Sequence, residues 1–363
     1  MNIINIIQGT GLVGLEQSSL NLMRQMSGMG CNFSVLSLTE TGRLKPHLDE
    51  LGIPCVGLKY KGPGGLLSYL DYKDVIMNAN PDAVMMTGNS LVGMLAISNT
   101  CEENRVLFVH YHHTGVKRNF LWKLIYHIAN KKFKHIFFAS NFIMKEAIKI
   151  SPKIKTKSTY LANPLPHLNL LDSCKASDLR KSLGISDSDT VIGNAGWLIK
   201  RKRFDILLRV CKKLKKQNKS IKILIAGEGE EKTNLMKLAD ELGIANDIIW
   251  LGWVDDMEIF YQCIDFMVFN SDWDAVGLSP LEAIQHGIPT FSSVLNGGLK
   301  ELIQGEYSYF IQHNHDEELL TEKLQYAIDN FEEVKNLTLN LRNYINKVSS
   351  PEVIAKKVIE IYK

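Results

Sequence analysis

The 363-residue sequence has no apolar run approaching the ~20 residues that carry a helix across a bilayer, so it offers no transmembrane candidate. It also lacks a basic stretch ahead of its first apolar residues. Met1-Asn2-Ile3-Ile4-Asn5-Ile6-Ile7 runs straight into glycine-rich sequence and reads as a first strand, not a signal peptide. Cysteine is scarce and dispersed. The six, at 31, 55, 101, 174, 211 and 263, form no CxxC pair and no metal-ligand spacing, and read as small apolar residues in a reducing cytosol. An excess of one charge is lacking too: 42 Lys and Arg against 39 Asp and Glu leave a net +3, too little for a dedicated nucleic-acid binder. The 45% apolar and 22% charged residues that are present suit a soluble globular chain with room for two domains and two cores. A cytoplasmic protein is expected.

Strand and helix patterns alternate from the start. Ile3–Ile7, Phe33–Leu38, Cys55–Leu58, Ala83–Met86, Val106–Val109 and Ile136–Ala139 are short apolar runs. Helical patterns at Glu16–Met26, Leu66–Asn80, Leu91–Asn99 and Phe120–Lys132 lie among them, which predicts an α/β domain with a mostly parallel sheet. Gln8-Gly9-Thr10-Gly11-Leu12-Val13-Gly14-Leu15-Glu16 is a glycine-rich strand-to-helix turn, the opening of a Rossmann-type unit, but its spacing is not the dinucleotide fingerprint. His110-Tyr111-His112-His113 ends the fifth run. His110 and His112 share a face there, at the end of a parallel strand where ligands bind. No further spaced ligands complete a zinc site, so these are ligand-contacting histidines or simply solvated ones. In the 117–134 stretch, Phe120, Leu121, Leu124, Ile125 and Ile128 form a helical stripe flanked by cations. It suits either an anionic membrane surface or packing on the sheet.

Asn163-Pro164-Leu165-Pro166 closes the first half, and Asp172–Ser177 reads as a polar linker. A second alternating series starts at Thr190. Thr190–Gly196 is a strand and turn followed by Trp197-Leu198-Ile199-Lys200-Arg201-Lys202-Arg203. Four consecutive cations between a strand and a helix suit phosphate oxygens better than a nucleic-acid patch. Ile221–Gly229 is a strand ending in Gly-x-Gly, and Ile248–Gly252 is another. Phe266–Phe269 is a buried strand that leads through Asp274, Gly277 and Ser279-Pro280 into the helical pattern Leu281-Glu282-Ala283-Ile284. Ser279 is expected to cap that helix, with Pro280 in its first position. A strand end, a glycine turn and a helix start make a natural site for a phosphorylated ligand; the alternative is an ordinary capped helix with two solvated acids.

Asp274 and Glu282 stand with seven residues between them, with Gly277-Leu278 inside and Glu282-Ala283 at the end. This pattern resembles the signature of retaining nucleotide-sugar glycosyltransferases of family 4, with Asp274, Ala275 and Val276 in place of the usual Glu, Gly and Phe. Gly14-Leu15-Glu16 is similar to that family's Gly-Gly-x-Glu loop. Gly196, Leu198, Lys202, Asp205, Leu207 and Leu208 fit its Gly-Arg-Leu…Lys-Gly segment, although Trp197 replaces an arginine and Arg203 a glycine. Gly297-Gly298 through Glu301 match a later turn.

The resemblance implies an α/β protein of the GT-B class: two Rossmann-like domains facing a central cleft, with a C-terminal helix opened by Pro351 that crosses back to the first domain. The expected boundaries are 1–168 for an acceptor-binding domain, 169–347 for a donor-binding domain and 348–363 for the crossover helix. It implies a retaining transferase that moves a sugar from a nucleotide diphosphate sugar, UDP-linked in preference to GDP-linked, to a hydroxyl of a glycan or lipid-linked acceptor. Gly14, Arg201, Lys202, Val276, Gly277, Leu278, Glu282 and Val254 are then the donor-binding residues, with Val254 in the loop beside the base. Asp274, with His110 or His112, faces the sugar. No cofactor, metal or nucleic acid is expected, and 117–134 is the expected peripheral contact with the inner face of a membrane. The Lys-, Asn- and Ile-rich composition points to bacterial surface polysaccharide synthesis. A GT-B sugar-nucleotide epimerase and a non-catalytic sugar-nucleotide-binding protein are the alternatives.

Overall fold

In a computed structural model of the chain, all residues are described except 12, 13, 60, 98, 99, 110–118, 166, 167, 169, 171, 172, 218, 219, 295, 296 and 313, and the side chains of 63, 64, 119 and 173–176. The chain divides into two compact units, Met1–Pro166 with Val348–Lys363, and His167–Lys347.

In the first unit β1 (Asn2–Ile7), α1 (Gly14–Ser27), β2 (Asn32–Ser37), α2 (Leu44–Glu50) and β3 (Cys55–Gly57) come first. They are followed by α3 (Tyr69–Asn78), β4 (Ala83–Thr87), α4 (Leu91–Ala96) and β5 (Arg105–Val109). Then come α5 (Asn119–Lys132), β6 (His135–Phe138), α6 (Asn141–Ile150) and β7 (Ser158–Tyr160). The strands form one parallel sheet in the order β3-β2-β1-β4-β5-β6-β7. Continuous apolar runs such as Ile3–Ile7 belong in such a sheet because helices cover both of its faces. Asn5 is the polar exception in that core. Its amide donates to Ser19 Oγ at 2.8 Å and accepts from Thr87 Oγ1 at 3.0 Å, so burial leaves it satisfied.

The second unit runs α7 (Ser173–Ser182), β8 (Thr190–Ala195), α8 (Phe204–Lys215), β9 (Ile221–Ala226), α9 (Lys232–Leu242) and β10 (Ile248–Gly252). It continues through α10 (Met257–Cys263), β11 (Phe266–Phe269), α11 (Leu278–Gln285), β12 (Thr290–Ser292), α12 (Gly298–Leu302), α13 (Glu317–Asp329) and α14 (Phe331–Val348). Its five parallel strands lie in the order β10-β9-β8-β11-β12. The last helix, α15 (Pro351–Tyr362), returns to the first unit. Ile354, Ala355, Val358 and Tyr362 join the core there, and Tyr362 Oη donates to Val84 O at 3.3 Å. The expected crossover helix is therefore present.

Three local expectations are corrected. The polar stretch read as a linker from Asp172 is helix from Ser173 onward, because its low apolar content hid a short surface helix. The helix expected over Leu66–Asn80 is split into a 3-10 turn, Pro63–Ser68, and α3; Gly62 and Gly65 at φ 73° and 77° hold the entry in the left-handed region that favours glycine. On α5 the buried stripe is Trp122, Ile125, Tyr126 and Ala129, which shares only Ile125 with the stripe read from the sequence; Ile128 is half-buried. Phe120, Leu121 and Leu124 point to water, with Phe120 82% exposed.

Candidate functional site

The site grows from the C-terminal edge of the second unit's sheet, where β8 and β11 lie side by side. The chain leaving β8 makes a 3-10 turn, Lys200–Lys202, and the chain leaving β11 runs beside it. Asp272 N donates to Arg201 O at 2.9 Å, and the Ser271 hydroxyl donates to Trp273 O at 2.9 Å. A further bridge pairs Asp274 with Gly297. There a side chain is impossible, since a Cβ on Gly297 would lie 1.7 Å from Asp274 O. These main-chain contacts set the height at which Asp274 stands.

Asp274 receives two cations. Lys202 Nζ donates to Asp274 Oδ2, and Arg201 Nη1 lies 3.5 Å from the same oxygen. The Asp274 and Lys202 side chains are only 16% and 14% exposed. Burial alone would raise the Asp274 pKa, but the Lys202 ammonium, the Arg201 guanidinium and the Val276 N–H override it and hold the carboxyl below its usual value. Lys202 Nζ also lies 4.8 Å from the centre of the Phe269 ring, and the Arg201 guanidinium lies 4.3 Å over Trp273, cation–π contacts that a bare surface cation would lack.

Gly277, at φ 79° and ψ 74°, turns the chain into α11. A Cβ there would meet Pro280 Cγ at 3.1 Å. The expected capping by Ser279 is corrected. The helix starts at Leu278, two residues earlier than expected, and the Ser279 hydroxyl donates instead to Ala195 O at 3.0 Å, tying α11 to the end of β8. The first N–H groups of this helix carry the positive end of its dipole at the crevice edge of a parallel sheet.

The reading of two solvated acids fails at Glu282 as well as at Asp274. The Glu282 carboxyl is enclosed and accepts from Tyr261 Oη at 2.7 Å, while the same hydroxyl lies 3.1 Å from Ser279 O. Burial pushes the Glu282 carboxyl up, and the Tyr261 hydrogen bond offsets part of that. Tyr261, on α10, carries no sequence signal beyond its place in an apolar helix pattern.

A second layer, also not legible in the sequence, anchors the cation loop. Arg203 occupies the left-handed region at φ 49°, the conformation a glycine would adopt freely, and so keeps the turn at some backbone cost. Its guanidinium forks onto Asp205 at 3.1 Å twice and reaches Asp272 at 3.4 Å. Asp272 Oδ1 meets His315 Nε2 at 3.1 Å, and His315 Nδ1 meets Ser293 Oγ at 2.9 Å. The Ser293 hydroxyl donates to Asn270 Oδ1 at 2.6 Å, at the end of β11. Arg201, Lys202 and Arg203 are thus bound to acids of their own unit.

The other sequence-derived residues fall as follows. Val276 is buried beside Asp274, Leu278 opens α11, and Val254 lies in the turn between β10 and α10. Gly14 is the first residue of α1, in the first unit, and Glu16 of the same turn is buried. His110 and His112 lie outside the described residues. Among the described residues, no group of three His, Cys, Asp or Glu side chains could hold a metal ion, and no helix is long and apolar enough to cross a membrane. Two cations beside a helix start can hold a phosphate group, and the two enclosed acids can accept hydrogen bonds from hydroxyls.

Residues 175–344 match the model of the family described as glycosyl transferases group 1. The chain is 25% identical over 254 residues to the O-antigen biosynthesis glycosyltransferase WclY of Escherichia coli, covering 68% of this chain and 69% of that one. It is 26% identical over 188 residues to a glycosyltransferase of Methanocaldococcus jannaschii, covering 51% of this chain and 48% of that one. The chain spans about half the length of the first curated relatives it matches. Among solved structures, Anabaena HepE in complex with UDP and glucose superposes with a TM-score of 0.86 at 18% identity, over 99% of this chain and 98% of that one. That likeness shows the fold, which is GT-B as expected.

Proposed function

We propose, from the match of residues 175–344 to the family described as glycosyl transferases group 1, that the chain moves a sugar from a nucleotide diphosphate sugar to an acceptor hydroxyl. The observation that carries the proposal is the cluster of Lys202, Arg201 and Asp274 beside the Gly277–Leu278 helix start, at the C-terminal edge of a parallel sheet. In such a transfer the leaving diphosphate gains negative charge while the sugar becomes oxocarbenium-like. Lys202, Arg201 and the N–H groups near Gly277 and Leu278 stabilise that charge without a metal. Glu282 accepts hydrogen bonds from the ribose, and Asp274 holds sugar hydroxyls. Val254 lies beside the base. Transfer proceeds with retention, the donor phosphate taking the acceptor proton.

A UDP-linked donor is preferred because HepE is described in complex with UDP and glucose. The acceptor class, a glycan or lipid-linked chain of a bacterial surface polysaccharide, is supported by WclY and by the lipopolysaccharide core biosynthesis glycosyltransferase LpsE of Rhizobium meliloti. Exposed Phe120, Leu121 and Leu124 on α5 support a peripheral contact with the inner face of a membrane from a cytoplasmic protein.

The test is thermal stability against UDP, GDP, ADP and CMP without metal. A ligand of the folded state at about a hundred times its dissociation constant adds ~2.7 kcal/mol. One nucleotide is expected to raise the melting temperature, with the shift reduced by Glu282→Ala and by Lys202→Ala. No shift with any nucleotide, with or without magnesium, refutes the transferase reading. Binding with no turnover on any acceptor supports a non-catalytic sugar-nucleotide-binding protein instead.

A further inference from the structure

Two indoles stand at the same sheet edge as the cation loop, and the contacts assigned so far use neither ring. Trp197 follows β8 and is 50% exposed, although its neighbour Leu198 is fully buried. Trp253 follows β10. Their ring centroids are 5.7 Å apart and their planes differ by 55°. Strands β8 and β10 are not neighbours, because β9 lies between them. The rings meet across the end of β9, where the chain is Gly227-Glu228-Gly229. A Cβ on Gly227 would lie 1.9 Å from Gly196 O and one on Gly229 would lie 2.4 Å from Leu198 O, so this loop lies flush against the backbone that carries Trp197.

That backbone is pinned on both sides. Gly196 N donates to Ala226 O, Leu198 N to Glu228 O and Glu231 N to Leu198 O, each at 2.9 Å. Trp253 Nε1 donates to Asp255 Oδ1 at 2.8 Å, which sets the rotation of its ring. The backbone under Trp197 and the ring of Trp253 beside it are therefore held in place, and the Trp197 face is left half in water, where a flat ligand can cover it.

Position along the edge identifies the occupant. In the order β10-β9-β8-β11-β12, Asp274 lies on the β11 side of the cation loop and the indoles on the β10 side. A Cβ on Gly196 would lie 3.9 Å from Lys202 Cε, so the residue preceding Trp197 stands beside the stem of that lysine. A donor laid along this edge with its sugar at Asp274 and its diphosphate at Lys202 points its base toward the indoles. We propose that Trp197, braced by Trp253, is the stacking platform for the nucleobase of the donor; this rests on the donor-site reading above. The base does not slot between the rings, because 5.7 Å is less than the ~7 Å that two van der Waals separations need. It lies on the outer face of Trp197. Where the family resemblance calls for an arginine directed at phosphate, this chain draws affinity from the base.

The experiment is calorimetric titration of the full chain with UDP, GDP and inorganic pyrophosphate, on the parent, Trp197→Ala and Trp197→Phe. The expected result is a loss of about tenfold or more in nucleoside diphosphate affinity for Trp197→Ala, since every base stacks on an aromatic face. Trp197→Phe should retain most of the affinity, and pyrophosphate should bind all three proteins alike. Unchanged nucleotide affinity in Trp197→Ala overturns the platform while leaving the donor site standing. An equal loss for pyrophosphate and nucleotide also overturns it, because Trp197 would then act through the loop and not through the base. If neither nucleotide binds the parent, the donor-site reading fails and the platform falls with it.

Discussion

Replacing Lys202 with methionine keeps the aliphatic stem that lies against Phe269 and removes the charge that Asp274 faces. Removing one partner of a buried ion pair costs ~3–5 kcal/mol because the other charge is left uncompensated. Asp274 is 16% exposed and keeps Arg201 at 3.5 Å, so the lower end applies, ~3 kcal/mol. At about 2–4 °C per kcal/mol for a unit of this size, the melting temperature of the second unit falls by ~8 °C.

The pH dependence of that gap tests the cause. In the parent, Asp274 is held below its usual pKa, so its contribution is complete above the unfolded-state value of ~3.9 and is lost as pH falls through the lower folded-state value. In the variant the Lys202 charge and hydrogen bond are gone, and burial, opposed only by Arg201 and the Val276 N–H, is expected to bring the folded-state pKa above the unfolded one. The ionised carboxylate is then a penalty at neutral pH, relieved as pH falls toward ~4. Thermal unfolding of both proteins between about pH 8 and pH 4.5 should show a gap that narrows on acidification. A double variant, Lys202→Met with Asp274→Asn, should recover most of the loss. A gap that is constant with pH, or a double variant no more stable than the single one, refutes the ion pair as its source.

Asp274→Asn frees Lys202 from its carboxylate, so UDP should bind more tightly by ~1 kcal/mol in calorimetry while turnover falls at least about tenfold, a split that separates phosphate binding from sugar positioning. Tyr261→Phe removes the hydrogen bond to Glu282 and should cost ~2 kcal/mol of stability by thermal unfolding. Burial already raises the Glu282 carboxyl and this change raises it further, so UDP affinity should fall at a higher pH than in the parent as the solution is acidified. Gly297→Ala places a Cβ 1.7 Å from Asp274 O at φ 137° and should cost ~4 kcal/mol or more, read as lost thermal stability. Gly30→Ala, at φ 86° but with open space around the new Cβ, should cost only ~1 kcal/mol in the same assay.

Apolar periodicity in the sequence was enough for the two α/β series, because strands buried on both faces need unbroken runs such as Val106–Val109 and Phe266–Phe269. The order of the turns placed Lys202, Asp274, Gly277 and Glu282 near the ends of their strands, since the C-terminal ends of parallel strands lie along one edge of the sheet. Local composition misled where surface elements carry little apolar signal, as at the start of α7, and where two stripes compete on one helix, as on α5.

Only the tertiary structure decided the state of the two acids. Lys202 and Asp274 are 72 residues apart, and Tyr261 reaches Glu282 from another helix; no spacing rule encodes either pairing, because each depends on how neighbouring loops leave the sheet. The same holds for the chain of contacts from Asn270 through Ser293, His315 and Asp272 to Arg203, and for the meeting of Trp197 with Trp253 across β9. Residue types and their order determined what chemistry the chain carries. Strand order and loop packing determined which charges are buried, which are paired, and which aromatic face stays open to a ligand.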